Sequence, residues 1–252
     1  MYHWQRQGSG KDVVLVHGFL GTSDIFAPLT EHLATQFRVT TIDLPGFGQS
    51  RDLPVPASVP ELSRQVAETI RASGLERCSL LGHSLGAWIA LEISLQQPDL
   101  LEKMVLYGGS ADGICPDRFE TYEHSIERIK AQGIDHFAAE LAAEWFVRGK
   151  ADPLYPVAQI AGRNADEKAA IAHVESWNDW KTSDRLHEVR TRTLVVCGDR
   201  DRSTHPDLSI EMWKNIETSQ LFIAPNCGHI VHLEHSHVFN AVVSGFLAEA
   251  EA

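Results

Sequence analysis

"LLGHSLGAW", residues 80–88, sets a polar Gly82-His83-Ser84 step between an apolar run and a second segment of helical character. A serine in that place makes sense where a strand must turn sharply into a helix, and glycines at 82 and 86 leave the backbone room to fold back on itself. Such a G-x-S-x-G turn holds a hydroxyl at the end of a strand. Five residues with two common glycines also arise by chance, so the context decides: a strand must precede the turn and a helix must follow it. "CSLLGH" (78–83) reads as the strand. After Ser84, the residues Trp88, Ile89, Leu91, Ile93 and Leu95 leave little polar face, so the following helix should lie buried against a sheet.

The same rhythm extends in both directions. "VVLVHG" (13–18), "VTTIDLPG" (39–46) and "KMVLYGG" (103–109) are short β-branched or apolar runs stopped by glycine or proline, as in a parallel sheet covered on both faces. Between them, Ser58 to Glu61 has capping-box spacing, Pro60 suits a first turn, Leu62, Val66 and Ile70 repeat at i+4, and Gly74 closes a helix. From Ala111 to His187 the strands stop. Phe137, Leu141 and Trp145 recur at i+4, and Ile171, Val174 and Trp177 at i+3, which is helical patterning. Strands return with "TLVVCG" (193–198) and "SQLFIAP" (219–225), before a last helix bearing Val238, Phe239, Val242, Val243, Phe246 and Leu247. The expected architecture is α/β: a mostly parallel central sheet with helices on both faces, a first core part at 1–110, a helical cap insertion at 111–187 and a second core part at 188–252.

Bulk properties narrow the function. With 252 residues, 43% of them hydrophobic, the chain can build one large domain with an insertion. Its formal charge of -12 argues against nucleic acid as a partner. No run approaches the roughly 20 apolar residues of a membrane span, and "MYHWQRQGSGKD" lacks a secretory signal pattern, so a soluble cytoplasmic protein is expected, with no membrane partner. The four cysteines show no metal-ligand spacing and read as reduced, mostly buried thiols. "GHIVHLEHSH" concentrates His229, His232, His235 and His237 without an HExxH order or cysteine partners, so a solvated His-rich helix entry is expected there, with no metal.

With this context, five stretches in order resemble the α/β-hydrolase superfamily over essentially the whole chain: "LVHGFLGTSDIF", "TIDLPGFGQS", "LLGHSLGAWIAL", "TLVVCGDRDRSTHP" and "NCGHIVHLE". That family runs serine, acid, histidine along the chain, and Ser84, Asp201 and His229 follow the order. The chemistry needs these types. A serine hydroxyl is a poor nucleophile until a base takes its proton, and an imidazole, with an ordinary pKa near 6.5, can do so at neutral pH. A carboxylate fixes the imidazole tautomer and stabilises the imidazolium. Asp201 is the choice for that role, being third after Gly198 as is usual in the family, and Asp199 is its rival. By the same resemblance the backbone N–H groups of Phe19 and Leu85 form the oxyanion hole, His17 buttresses the loop beside it, and Asp43 ties a strand end to nearby backbone. No cofactor is implied.

The resemblance implies a small-molecule ester or lactone as substrate, while the superfamily also includes carbon–carbon bond hydrolases, lyases and receptors with similar residues. "ERIKAQGIDHFAAELAAEWF" (127–146) and "WNDWKTSDRLHEVRTRTLVV" (177–196) look like the cap and cap exit of 3-oxoadipate enol-lactone hydrolases, whereas "VHGFLGTSDIF" also looks like a menaquinone-pathway lyase that eliminates pyruvate. Trp145, Phe146, Trp177 and Trp180 either line an apolar pocket over Ser84 or form the cap's own core. Arg148 or Arg163 either holds a substrate carboxylate or is solvated. Ala87 and Trp88 stand where relatives have a second glycine and its neighbour, which should alter the pocket floor. Nothing in the sequence specifies an oligomeric state.

Overall fold

A computed structural model describes residues 1–115, 118–163 and 165–250. Seven strands form one sheet: β1 (Trp4–Gly8), β2 (Lys11–Val16), β3 (Phe37–Ile42), β4 (Cys78–His83), β5 (Leu101–Tyr107), β6 (Arg192–Gly198) and β7 (Ser219–Ala224). Their spatial order is β1-β3-β2-β4-β5-β6-β7, with β1 antiparallel to β3 and every other pair parallel. Every residue of β4 is buried, and because successive side chains point to opposite faces, both faces of the sheet are covered there. Strand β1 is absent from the sequence reading. Its residues Trp4-Gln5-Arg6-Gln7-Gly8 are half-buried or exposed along one sheet edge, so no apolar run marks it.

The helices around the sheet are α1 (Ala27–Leu33), α2 (Val59–Ala72), α3 (Leu85–Gln96), α4 (Tyr122–Gln132), α5 (Ile134–Glu144), α6 (Tyr155–Ala161), α7 (Glu167–Glu175), α8 (Pro206–Asn215), α9 (Val231–Glu234) and α10 (Ser236–Ala248). The start of α2 is the one expected: Ser58 Oγ accepts from the Glu61 N–H at 3.4 Å, and Gly74 follows the helix at φ +87°. The reciprocal half of a capping box is missing, because the Glu61 carboxylate is taken by Arg64 and Gln65. In α3 every residue from Leu85 to Ser94 is buried, as its lack of a polar face demands. At the far end of the chain, Lys103 of β5 is wholly buried and its Nζ donates to the carbonyls of Phe246, Leu247 and Glu249, at 3.0, 2.8 and 2.5 Å. A cation there satisfies the orphan carbonyls at the C-terminus of α10 and fastens that helix to the sheet.

Helices α4 to α7 belong to the stretch between β5 and β6, and this stretch leaves and rejoins the sheet through a narrow neck. Ala111 O accepts from Thr182 N at 2.9 Å, Gly113 N donates to Trp180 O at 2.8 Å, and Asp112 Oδ1 accepts from the N–H groups of Thr182 and Ser183, both at 2.9 Å. The four cysteines are free and buried, and burial pushes the thiols of Cys78, Cys197 and Cys227 up to about 12. Among the described residues no helix is long and apolar enough to cross a membrane.

Candidate active site

Ser84 sits between β4 and α3 at φ +55°, ψ -117°, a backbone conformation that costs a non-glycine residue on the order of 1–3 kcal/mol. The two glycines explain how the turn fits. A Cβ on Gly82 would stand 1.9 Å from Gly86 O, and one on Gly86 would stand 2.1 Å from Val16 O. The serine N–H is held by Tyr107 O at 2.8 Å. Beside it runs the loop after β2, where a Cβ on Gly18 would come 2.8 Å from Ser84 Cβ. Next along are the Phe19 N–H from that loop and the Leu85 N–H at the start of α3. Neither has a hydrogen-bond acceptor among the described residues. Free N–H groups at a helix start are suited to an anionic oxygen.

Of the two aspartates after β6, Asp201 is the one in contact with His229. His229 Nδ1 lies 2.7 Å from Asp201 Oδ2, and both side chains are buried. Asp201 Oδ1 accepts from the N–H groups of Ser203 and Thr204 at 2.8 and 3.0 Å, while Thr204 Oγ1 lies 3.0 Å from Oδ2 and 2.8 Å from Gly108 O. Asp199 is exposed and turned to other work, accepting the Cys227 N–H at 3.1 Å. The carboxylate–imidazole pair therefore forms across the ends of β6 and β7.

Behind His229 the histidines form a buried layer that sequence reading did not anticipate. His83 Nε2 donates to His229 O at 3.0 Å, and burial together with the neighbouring His229 and His232 holds its pKa well below the usual value. His232, expected at a solvated helix entry, is instead 1% exposed. Its Nε2 donates to Ile25 O at 3.2 Å, its Nδ1 accepts from Tyr107 Oη at 3.0 Å, and burial lowers its pKa to about 3. His235 and His237 do lie nearer the surface. His17 donates to Gly18 O and accepts from Leu44 N, at 2.8 and 2.9 Å, so it braces the Gly18–Phe19 turn. Asp43 binds the N–H groups of Ser23 and Gln49 at 2.7 and 2.9 Å, tying the end of β3 to two loops. Among the described residues no three His, Cys, Asp or Glu side chains converge as metal ligands.

A cavity of about 440 Å³, including its open mouth, lies over Ser84 and His229. Its wall includes Phe19, Leu85, Trp88, Leu141, Trp145 and Trp177. Trp177 is the hub, set edge-on to Phe19, Tyr122 and Trp88 at 5.0, 5.1 and 5.4 Å between ring centres. Trp145 closes the site against the His229 loop, since His229 N donates to Trp145 O at 2.8 Å. Glu234 adds to this tie, accepting from Gly228 N at 2.6 Å and Val147 N at 2.8 Å.

Other residues expected at the pocket are elsewhere. Phe146 is wholly buried against Tyr155 and is not part of the wall of Ser84's cavity. Trp180 donates to the buried Glu92 at 2.9 Å. Arg148 and Arg163 are exposed on the outer side. The arginine in the cavity wall is Arg118, and the reading missed it. Its only sequence signal was its place in an unpatterned stretch after β5.

A profile of the alpha/beta hydrolase family matches residues 13–242. Among proteins of known name, the chain is 32% identical to "Putative carbamate hydrolase RutD" of Rhizobium rhizogenes, over 97% of this chain and 95% of that one. It is 27% identical to a 2-hydroxy-6-oxo-6-phenylhexa-2,4-dienoate hydrolase of Burkholderia cepacia, over 98% and 91%. The crystal structure of an enol-lactonase from Burkholderia xenovorans superimposes with a TM-score of 0.89 at 19% identity, covering 98% of this chain and 96% of that one.

Proposed function

The chain belongs to the alpha/beta hydrolase family, and from that premise we propose that it hydrolyses a small carboxylic ester or lactone through an acyl-enzyme on Ser84. The observation that carries this reading is the 2.7 Å contact between His229 and Asp201 at the wall of the cavity that Ser84 also lines. Ser84 Oγ attacks the carbonyl carbon and passes its proton to His229 Nε2. The carbon–oxygen bond of the leaving alcohol then breaks, with His229 returning the proton to it. Water repeats the sequence on the acyl group, so serine and base are regenerated. Asp201 holds the imidazole with its proton on Nδ1 and stabilises the imidazolium. The N–H groups of Phe19 and Leu85 receive the negative oxygen of the tetrahedral intermediate. The segment on the neck at 111–113 and 180–183 serves as the cap, contributing Trp145 and Trp177 to the acyl pocket.

Relatives named for carbamate and dienoate hydrolysis make the scissile group the part of this reading to test first. Turnover of a 4-nitrophenyl ester series is expected, together with one equivalent of a stable adduct from a phosphonate reagent. In Ser84→Ala both should vanish while the fold is retained, since one oxygen is removed. Wild-type rates within tenfold in that variant would overturn the nucleophile. If the wild type shows at most a single equivalent of product, the protein is a receptor on this fold. Cleavage of a carbon–carbon bond in a vinylogous diketone, without cleavage of esters, would assign the other hydrolase chemistry.

A further inference from the structure

Arg118 is the one cation among the described residues that line the cavity over Ser84. Its guanidinium is sandwiched by aromatic rings, 4.3 Å from the Phe119 ring centre and 4.9 Å from that of Tyr122. Its Nη1 donates to Glu120 O at 2.7 Å and Ser125 Oγ at 3.1 Å, both neutral acceptors. The Glu120 carboxylate is spent elsewhere, on Ser125 Oγ and Arg128, each at 2.6 Å. Among the described residues no carboxylate lies within ion-pair distance of Arg118. Burial lowers its pKa, the mark of a charge whose lost hydration is not made good. In the adjoining wall, Trp177 Nε1 is a buried donor without an acceptor among the described residues.

A second, outer cavity shares Cys115, Arg118 and Tyr122 with the first and is otherwise lined by Ile114, Glu120, Thr121, Glu123 and Asn178. Arg118 thus stands where the two spaces meet. Inward lie the aromatic wall and Ser84. Outward lie two glutamates, which disfavour an anion that extends further. We propose that Arg118 is the specificity-determining residue of this site and that the substrate carries one carboxylate, held by Arg118 while its scissile carbonyl lies at Ser84. This deepens the ester or lactone reading and rests on it for the identity of the reacting bond. The anion subsite itself is a matter of binding. A carboxylate at this position supplies a countercharge that no described residue provides at ion-pair distance, and the planar fork of the guanidinium suits two-point contact.

Two measurements separate the subsite from the chemistry. The first compares kcat/KM for the 4-nitrophenyl monoester of glutaric acid with that for 4-nitrophenyl pentanoate, which has a similar chain length without the acid. The ratio should favour the acid in the wild type. It should fall by about ten- to a hundredfold in Arg118→Gln, the range for a hydrogen bond to a charged group, and recover in part in Arg118→Lys. The second titrates Ser84→Ala with monomethyl glutarate and with methyl pentanoate by calorimetry, and repeats it with Arg118→Gln added. The acid should bind more tightly, and the added change should remove that preference. Circular dichroism and the thermal midpoint check that the loop to Ser125 survives. A preference lost in binding while no ester is turned over would retain the subsite and sink the hydrolase reading. Turnover with an unaltered ratio, or binding that ignores the acid, would sink the subsite.

Discussion

Exchanging Asp201 for asparagine isolates the role of one charge, because the hydrogen bonds around it dictate how the new amide must sit. Two backbone N–H groups, from Ser203 and Thr204, point at Oδ1 from 2.8 and 3.0 Å. They require an acceptor, so the amide oxygen takes that place. The NH2 group then replaces Oδ2, which lies 2.7 Å from His229 Nδ1 and 3.0 Å from Thr204 Oγ1. Thr204 can accept, since its own proton can serve Gly108 O at 2.8 Å. His229 can accept only by moving its hydrogen to Nε2, where it blocks uptake of the serine proton. Packing is kept and the base is lost. In a related triad this change costs on the order of 10⁴ in kcat, and the same is expected here. Asp199→Asn leaves an oxygen to accept the Cys227 N–H at 3.1 Å and should stay within about threefold of the wild type. Steady-state kcat for both variants on one ester is the assay. A crippled Asp199→Asn beside a near-normal Asp201→Asn would refute the argument, as would an Asp201→Asn variant that loses activity only by unfolding.

Acid should destabilise the fold from the outset of histidine titration. Burial holds His17, His83, His173 and His232 below their ordinary value, His173 at about 4 and His232 at about 3. The unfolded chain therefore binds more protons as pH drops below about 6.5, and stability falls by up to about 1.4 kcal/mol per pH unit for each histidine until its folded pKa is passed. Urea midpoints between pH 7.5 and 5 measure this, and a flat profile would contradict it. Trp177→Ala should shift the order of preferred acyl groups and cost about 3–5 kcal/mol, whereas Phe146→Ala should cost a similar amount without reordering the substrates. Thermal midpoints and a panel of acyl chain lengths separate the two, and equal losses of every substrate from Trp177→Ala would make that ring mere packing.

The parallel strands were legible because each is buried on both faces and so reads as an unbroken apolar run, and the serine turn because its glycines have no substitute there. A Cβ on Gly86 would meet Val16 O at 2.1 Å, so small residues are dictated by backbone contact and leave a trace in any sequence that makes the turn. Edge strand β1 left no such trace, since one covered side suffices to hold Trp4 to Gly8. His232 was misread for a related reason. Its burial depends on Tyr107 and Ile25, 125 and 207 residues away in the chain, and local polarity carries no record of partners at that distance.

The stretch between β5 and β6 shows where pattern gives way to geometry. Trp145, Phe146 and Arg148 are all candidates for the pocket in the sequence, yet beyond the end of α5 they part company. Trp145 reaches the cavity, Phe146 packs against Tyr155, and Arg148 faces solvent. Arg118 reaches the cavity because residues 118–122 fold its guanidinium between Phe119 and Tyr122. The two rings stand one and four residues after Arg118, in a stretch with no sustained helical or strand repeat to notice. The guanidinium is held by the rings, by Glu120 O and by Ser125 Oγ, and that arrangement is assembled only where the loop meets α4. Placement of Arg118 is therefore a property of the folded stretch between β5 and β6, while Ser84 and His229 stand beside strand ends whose apolar runs the sequence displays.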